Sequence, residues 1–77
     1  MHVELSKAAV KVISRMDTIT KRRLRIGIES LPEGDVKKLQ GYLNAYRLRV
    51  GDWRVLFDMT VDTIYITNIL PRGSAYK

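Results

Sequence analysis

The sequence predicts an α+β domain in which two helices precede a run of antiparallel strands. Apolar residues first recur at helical spacing, through Ala9, Val12, Ile13 and Met16 and again through Leu24, Ile28 and Leu31. From Tyr46 to Met59 the period falls to two, and a Gly51-Asp52 pair interrupts the run. A second alternating run follows at Thr63 to Ile69. Helical periods followed by strand periods describe helices segregated to one face of an antiparallel sheet. With a short strand at the start, the order is β-α-α-β-β-β. An N-terminal helical hairpin covers the apolar face of three or four strands. No repeat, linker or low-complexity stretch divides residues 1–77, so a single domain is expected.

His2 to Leu5 form the first strand, with Val3 and Leu5 on one face. Ser6 is suited to cap the helix that follows, because its hydroxyl can accept from an unpaired first-turn N–H. Lys7 to Met16 form that helix, with Lys7, Lys11 and Arg15 at spacing four opposite the apolar stripe. Asp17 and Thr18 break it and supply a new cap. The second helix runs from Ile19 to Ser30, with Thr20, Leu24, Ile28 and Leu31 inward and Gly27 available for close packing. Lys21, Arg22 and Arg25 lie outside, and Arg25 stands four residues before Glu29. Leu31 to Asp35 is a loop: Pro32 stops the helix and Gly34 permits a sharp turn. Val36 to Leu39 reads as a short helical turn before Gly41. Pro71 ends the last strand, and residues 72–77 form a tail.

The hairpin from Tyr46 to Met59 organises the rest. A two-residue loop with glycine first suits a type II′ turn, and the turn sets the register. Val50 then faces Trp53, Arg49 faces Arg54 and Leu48 faces Val55. Tyr46, Leu48, Val50, Trp53, Val55 and Phe57 share the buried face, and Arg47, Arg49 and Arg54 gather on the other. Like charges directly opposite on a sheet repel, at a cost of a few tenths to about 1 kcal/mol. Three cations in this register therefore point to an anionic ligand, although solvated arginines on an open face are the plainer reading.

Fourteen basic residues against eight acidic ones give a net charge of +6, which favours a polyanionic partner, nucleic acid or acidic protein. The absence of cysteine excludes disulfides and thiolate metal sites and fits a reducing cytoplasm. No apolar run reaches the length of a membrane span and no leader h-region opens the chain, so a soluble cytoplasmic protein with no membrane contact is expected.

The only histidine, His2, stands at the chain start, so no Ser-His-acid set can be assembled. No glycine-rich phosphate loop precedes a helix. Carboxylates are few and scattered at turns and caps, which signals neither a metal site nor an acid/base pair, and no cofactor is implied. A cluster of cations with one or two phenols remains. Guanidinium groups match phosphate bidentately and can stabilise the excess negative charge of a phosphoryl transition state. Arg72, just past the last strand, can converge on the cluster, and Tyr76 can stack on a base or act in proton transfer. Taken alone, the tail favours a plainer role for both, as simple tail residues or as anchors of the tail to the sheet. RNA carries its own nucleophile in the 2′-hydroxyl, so its cleavage requires neither metal nor covalent intermediate.

The sequence resembles the RelE/ParE superfamily of toxin–antitoxin proteins over nearly the whole chain. VELSKAAVKVISRMD is similar to the family's first strand and helix. LPEGDVKKLQGYLNAYRLRVGDWRVLFDM resembles its most recognisable block, a Lys-Leu-x-Gly segment before a Tyr-Arg-x-Arg-x-Gly-Asp-x-Arg hairpin. ITNILPRGSAY is similar to its closing strand, followed by an arginine and a tyrosine.

The resemblance implies a compact fold like that of microbial ribonucleases, without their usual glutamate and histidine. It implies the toxin of a type II toxin–antitoxin system, with an acidic, partly disordered cognate antitoxin as partner. In the RelE-like branch the toxin is a ribosome-dependent mRNA endoribonuclease, metal-independent, whose partners are the ribosome and mRNA. On this chain the implied RNA-binding positions are Arg47 and Arg49, and the implied catalytic positions are Arg54, Arg72 and Tyr76. Well-known RelE members carry lysines where Arg47 and Arg49 stand, and this chain ends at Lys77 without a C-terminal helix. Two alternatives stay open: a ParE-like inhibitor of DNA gyrase, and a catalytically weak nucleic-acid-binding relative.

Overall fold

The computed structural model describes residues 2–39, 41 and 45–71. Its elements in chain order are β1 (His2–Leu5), α1 (Lys7–Ser14), α2 (Thr18–Glu29), β2 (Val36–Lys38), β3 (Ala45–Val50), β4 (Trp53–Met59) and β5 (Thr63–Pro71). The strands form one sheet in the order β1-β5-β4-β3-β2. From β2 through β3 and β4 to β5, each pairing is antiparallel. β1 departs from the expected antiparallel sheet: it lies parallel to β5, with Val3 opposite Ile64 and Leu5 opposite Ile66. A parallel partner is available because the two helices carry the chain over the sheet before the later strands are laid down.

Both expected caps form. The Ser6 hydroxyl accepts from the Ala9 N–H at 3.1 Å and donates to the Thr67 carbonyl at 2.7 Å. The Ser6 N–H also donates to the Ile66 carbonyl at 2.9 Å. One residue thus starts α1 and fastens that start to β5. Ser6→Ala removes both hydroxyl bonds and is expected to cost about 1–2 kcal/mol. The midpoint of urea unfolding measures that loss.

Asp17 caps α2, accepting from the Thr20 hydroxyl at 2.6 Å and the Thr20 N–H at 3.1 Å. These bonds hold its carboxyl below the ordinary carboxylate value, the Thr20 hydroxyl contributing most. A carboxyl with a depressed folded pKa adds stability above its unfolded value, and that stability disappears as pH falls through the folded value. Asp17→Asn keeps a competent cap. It is expected to flatten the stability profile below about pH 4, as read from unfolding midpoints across that range.

The helices spread over one face of the sheet, α1 packing on β5 and α2 on β3. Ala9, Leu24, Ile28 and Leu31 close on Leu48, Val55, Phe57, Ile64, Ile66 and Ile69 to make the core. Tyr46 stacks on Phe57 with ring centroids 5.6 Å apart and planes 18° from parallel. Gly27 permits the close approach of α2 to β3, since a Cβ there would stand 2.9 Å from Val50 Cγ2.

Two departures from sequence expectation shape the open face. Val36–Lys38 is an edge strand and not a helical turn; Val36 pairs with Leu48, Lys37 with Arg47 and Lys38 with Tyr46. Three residues contribute too little local preference to resist the free edge of β3, which supplies backbone partners for them. The other departure is a bulge between β4 and β5. Phe57 faces Ile66 while Leu56 faces Asn68, which leaves Thr67 as the extra residue. Its hydroxyl donates to the Leu56 carbonyl at 3.1 Å. The bulge lets Ile64, Ile66 and Ile69 all enter the core, although strict alternation from Ile64 would bury Asn68.

Candidate nucleic-acid interface

The hairpin register is the expected one. Arg49 stands opposite Arg54, Leu48 opposite Val55 and Val50 opposite Trp53. Gly51 has φ +58 while Asp52 does not take a positive φ, the signature of a type II′ turn. Leu48, Val55 and Phe57 are buried under the helices, with Tyr46, Val50 and Trp53 packed against them. Alternation then sends Arg47, Arg49 and Arg54 to the face opposite the helices.

Cross-strand register defines the rows of that face. One row runs Arg49, Arg54, Leu70, and the next runs Lys37, Arg47, Leu56, Asn68. A third row, toward the far end of the strands, contains Ala45, Asp58, Tyr65 and Glu4. The face is therefore uneven in charge: the arginines and Lys37 collect toward the hairpin-turn end, with Asp35 among them, and Asp58 and Glu4 stand at the other.

The three arginines are not equivalent. Arg49 is exposed, whereas Arg47 and Arg54 are each 8% exposed. The Arg47 guanidinium donates from Nη1 to the Asp35 carbonyl at 3.0 Å and to the Asp35 carboxylate at 3.2 Å. The Arg49 N–H donates to the Asp35 carbonyl at 3.0 Å, so Asp35 fastens the β2 approach to β3 at two points. Arg54 reaches only the Trp53 carbonyl, at 3.5 Å from its Nη1. Among the described residues the ion pairs are His2–Glu4, Arg25–Glu29 and Arg47–Asp35, so neither Arg49 nor Arg54 is ion-paired there, although Asp35 stands across from Arg49 with its carboxylate turned to Arg47.

A buried guanidinium without a counter-ion is expensive, and a second one facing it adds repulsion, unless an anion completes the site. Arg72 and Tyr76 lie outside the described residues. No group of His, Asp or Glu capable of holding a metal occurs among the described residues. Likewise, no helix among them is long and apolar enough to cross a membrane.

The Asp35 ion pair fastens the β2 approach to β3. Its carboxylate is about half exposed, so the pair is partly screened by water. Asp35→Ala is expected to destabilise the domain by about 1 kcal/mol without weakening RNA binding, because the same change frees a guanidinium. Urea midpoints and RNA titrations on the same protein separate the two effects.

One sheet with helices on one face and three arginines on the other, two of them without an ion-pair partner among the described residues, defines a small basic α+β domain. Comparison with known proteins identifies the family. No protein-family model matches the chain. Toxin RelE3 of Methanocaldococcus jannaschii is 32% identical to it, covering 99% of this chain and 96% of the relative. The RelE–RelB complex of Pyrococcus horikoshii contains a chain 32% identical, with TM-score 0.76 over 96% of this chain and 97% of that one. The RelB–RelE antitoxin–toxin complex of Methanococcus jannaschii gives 30% identity and TM-score 0.79, covering 96% and 95%. The isolated RelE toxin of E. coli shares the fold, with TM-score 0.77 at 12% identity over 97% of this chain and 87% of that one. The chain belongs to the RelE family of toxins.

The place of Lys37 beside Arg47 is a feature that sequence alone does not reveal. Lys37 joins the cationic row only because Val36–Lys38 pairs with β3, and a three-residue segment carries no periodicity from which that pairing can be read. The remaining signal is the alternation Val36 in, Lys37 out, visible once the strand is known.

Proposed function

We propose that this toxin is a metal-independent mRNA endoribonuclease that acts on the ribosome and is held inactive by a cognate antitoxin. The observation that carries the reading is the facing pair Arg49–Arg54, two guanidiniums without carboxylate partners among the described residues. In the mechanism, the message's 2′-hydroxyl attacks its own 3′-phosphate and displaces the 5′-oxygen of the next nucleotide, leaving a 2′,3′-cyclic phosphate and a 5′-hydroxyl. The proton lost by the 2′-hydroxyl passes to water, and water returns one to the departing 5′-oxygen. Arg54 and Arg72 neutralise the phosphorane as its charge grows, which lowers the barrier by electrostatic stabilisation in a preset site. Arg49 holds the RNA backbone. Arg47 adds charge from beneath while Asp35 fixes its direction, and Tyr76 stacks on a base or assists proton transfer. Arginine stays protonated in proteins, so the guanidiniums serve as electrostatic groups and not as the base.

An antitoxin partner is supported by the company the relatives keep: the structures from Methanococcus jannaschii and Pyrococcus horikoshii are both RelB–RelE complexes. The surplus of positive charge suits an acidic partner. Val10, Ile19 and Ile26 are large apolar residues exposed on the helices, surface that a partner chain can cover. Action on ribosomes requires a cytoplasmic toxin.

Induced expression followed by primer extension on translated messages tests the proposal. Cuts within codons that vanish in Arg54→Ala and Arg72→Ala support it. Growth arrest with intact messages and DNA damage would instead identify a gyrase poison, and no arrest would identify an inactive relative.

A further inference from the structure

The cation row continues past the hairpin onto β2. Val36 packs against the core and pairs with Leu48, which fixes Lys37 on the opposite face, directly across from Arg47. Lys37 is exposed, as is Arg49, while Arg47 is buried and bonded to Asp35. Directly opposite residues on paired strands place their Cβ atoms about 5 Å apart, and diagonal neighbours about 7–8 Å. Lys37 is the diagonal neighbour of Arg49, and Arg49 directly faces Arg54. The three lie as a track across β2, β3 and β4, and Arg47, paired with Asp35, stands directly across from Lys37 on the same face. The other lysine of the strand, Lys38, pairs with Tyr46 and belongs to the helix-side phase.

From this geometry we infer that Lys37 is an RNA-binding residue that extends the phosphate track onto the edge strand, and that it supplies the exposed cation Arg47 does not. The inference rests on the reading of the open face as the RNA site. The chemistry suits the position. An ammonium on a flexible stem is a point charge that follows a mobile backbone, whereas the facing guanidiniums grip one phosphate bidentately. Asp35 has a part here too: by occupying Arg47 it leaves Lys37 and Arg49 as the exposed cations of that half of the face. The plainer role for a lysine on an edge strand is to prevent edge-to-edge pairing. That role involves no RNA.

Binding of the full chain to a 2′-O-methylated single-stranded RNA, which cannot be cleaved, tests the inference across a salt series. For a single strand, removing one phosphate-neutralising cation lowers the slope of log K against log salt by about 0.7. Lys37→Gln is expected to lower the slope by that amount and Lys37→Arg to restore it, with Lys38→Gln unchanged. An unchanged slope in Lys37→Gln beside a lowered one in Arg49→Ala overturns the role of Lys37 and leaves the open-face reading standing. Unchanged slopes in both overturn the open-face reading itself. Equal decreases in Lys37→Gln and Lys38→Gln reduce the effect to general charge, and this too overturns the proposal. So does a weaker antitoxin affinity in Lys37→Gln with RNA binding intact. Lys37 is exposed on a strand edge, and a circular-dichroism melt on each variant confirms that the fold is retained.

Discussion

Arg54→Ala is expected to reduce cleavage of ribosome-bound message by about a hundred- to a thousandfold while the domain stays folded. The size follows from what a preset cation does in a water-poor site: removing one donor aimed at developing transition-state charge typically costs that factor. Arg54 is the more buried partner of the Arg49–Arg54 pair, and its neighbour across β5 is Leu70, so water screens it less than Arg49. The fold is little affected, because among the described residues the guanidinium makes only the long bond to the Trp53 carbonyl. Removing it also relieves repulsion from Arg49. Single-turnover cleavage on programmed ribosomes, with a urea melt of the same preparation, measures both. A variant that is less stable and equally active would move Arg54 from the site to the scaffold.

Phe57→Ala is the largest expected effect on stability. Phe57 is 1% exposed at the centre of β4, stacked on Tyr46 and facing Ile66 beside the bulge. Deleting a buried phenyl ring costs about 3–5 kcal/mol, through forfeited transfer energy and the cavity left behind. At about 0.05–0.15 kcal/mol per residue, a chain of this size holds roughly 4–12 kcal/mol in all. The variant is therefore expected to forfeit from about a quarter to all of that stability, read as a large fall in the urea midpoint, and to lose toxicity to the extent that the fold is lost. Val61 offers the control: it is 93% exposed, and Val61→Ala is expected to leave the melting temperature unchanged. A partner that binds only the folded toxin shifts the equilibrium back by mass action. Co-expression with the antitoxin should then recover soluble Phe57→Ala protein.

The legible parts of the molecule are those whose determinants are local. The type II′ turn at Gly51-Asp52 and the alternation around it fix which residues of the hairpin meet, and so put three arginines on one side before any tertiary packing is considered. Ser6 and Asp17 announce their helices because a cap is satisfied within three residues. The hidden parts depend on distant segments. β2 exists because β3 has an edge to offer, and β1 runs parallel because of where β5 ends up. The Thr67 bulge reconciles the spacing of Ile66 and Ile69 with a single core. Asp35 reads as a loop residue, yet it takes the charge of Arg47, twelve positions on. The site differs accordingly: of three arginines alike in sequence, one is bonded within the fold, one is buried without a carboxylate partner among the described residues and one is exposed, with Lys37 added at the edge.

In the proposed mechanism RNA meets this protein on the side of the sheet opposite the helices, although the helices also carry a basic surface in Lys7, Lys11, Lys21, Arg22 and Arg25. Chemical-shift mapping of the labelled chain during titration with an uncleavable RNA compares the two surfaces in one experiment. Perturbed amides confined to Lys37, Arg47, Arg49, Arg54, Leu56 and Leu70 and their immediate neighbours are the predicted result. Perturbations clustered on α1 and α2, with those strand amides unmoved, would contradict it.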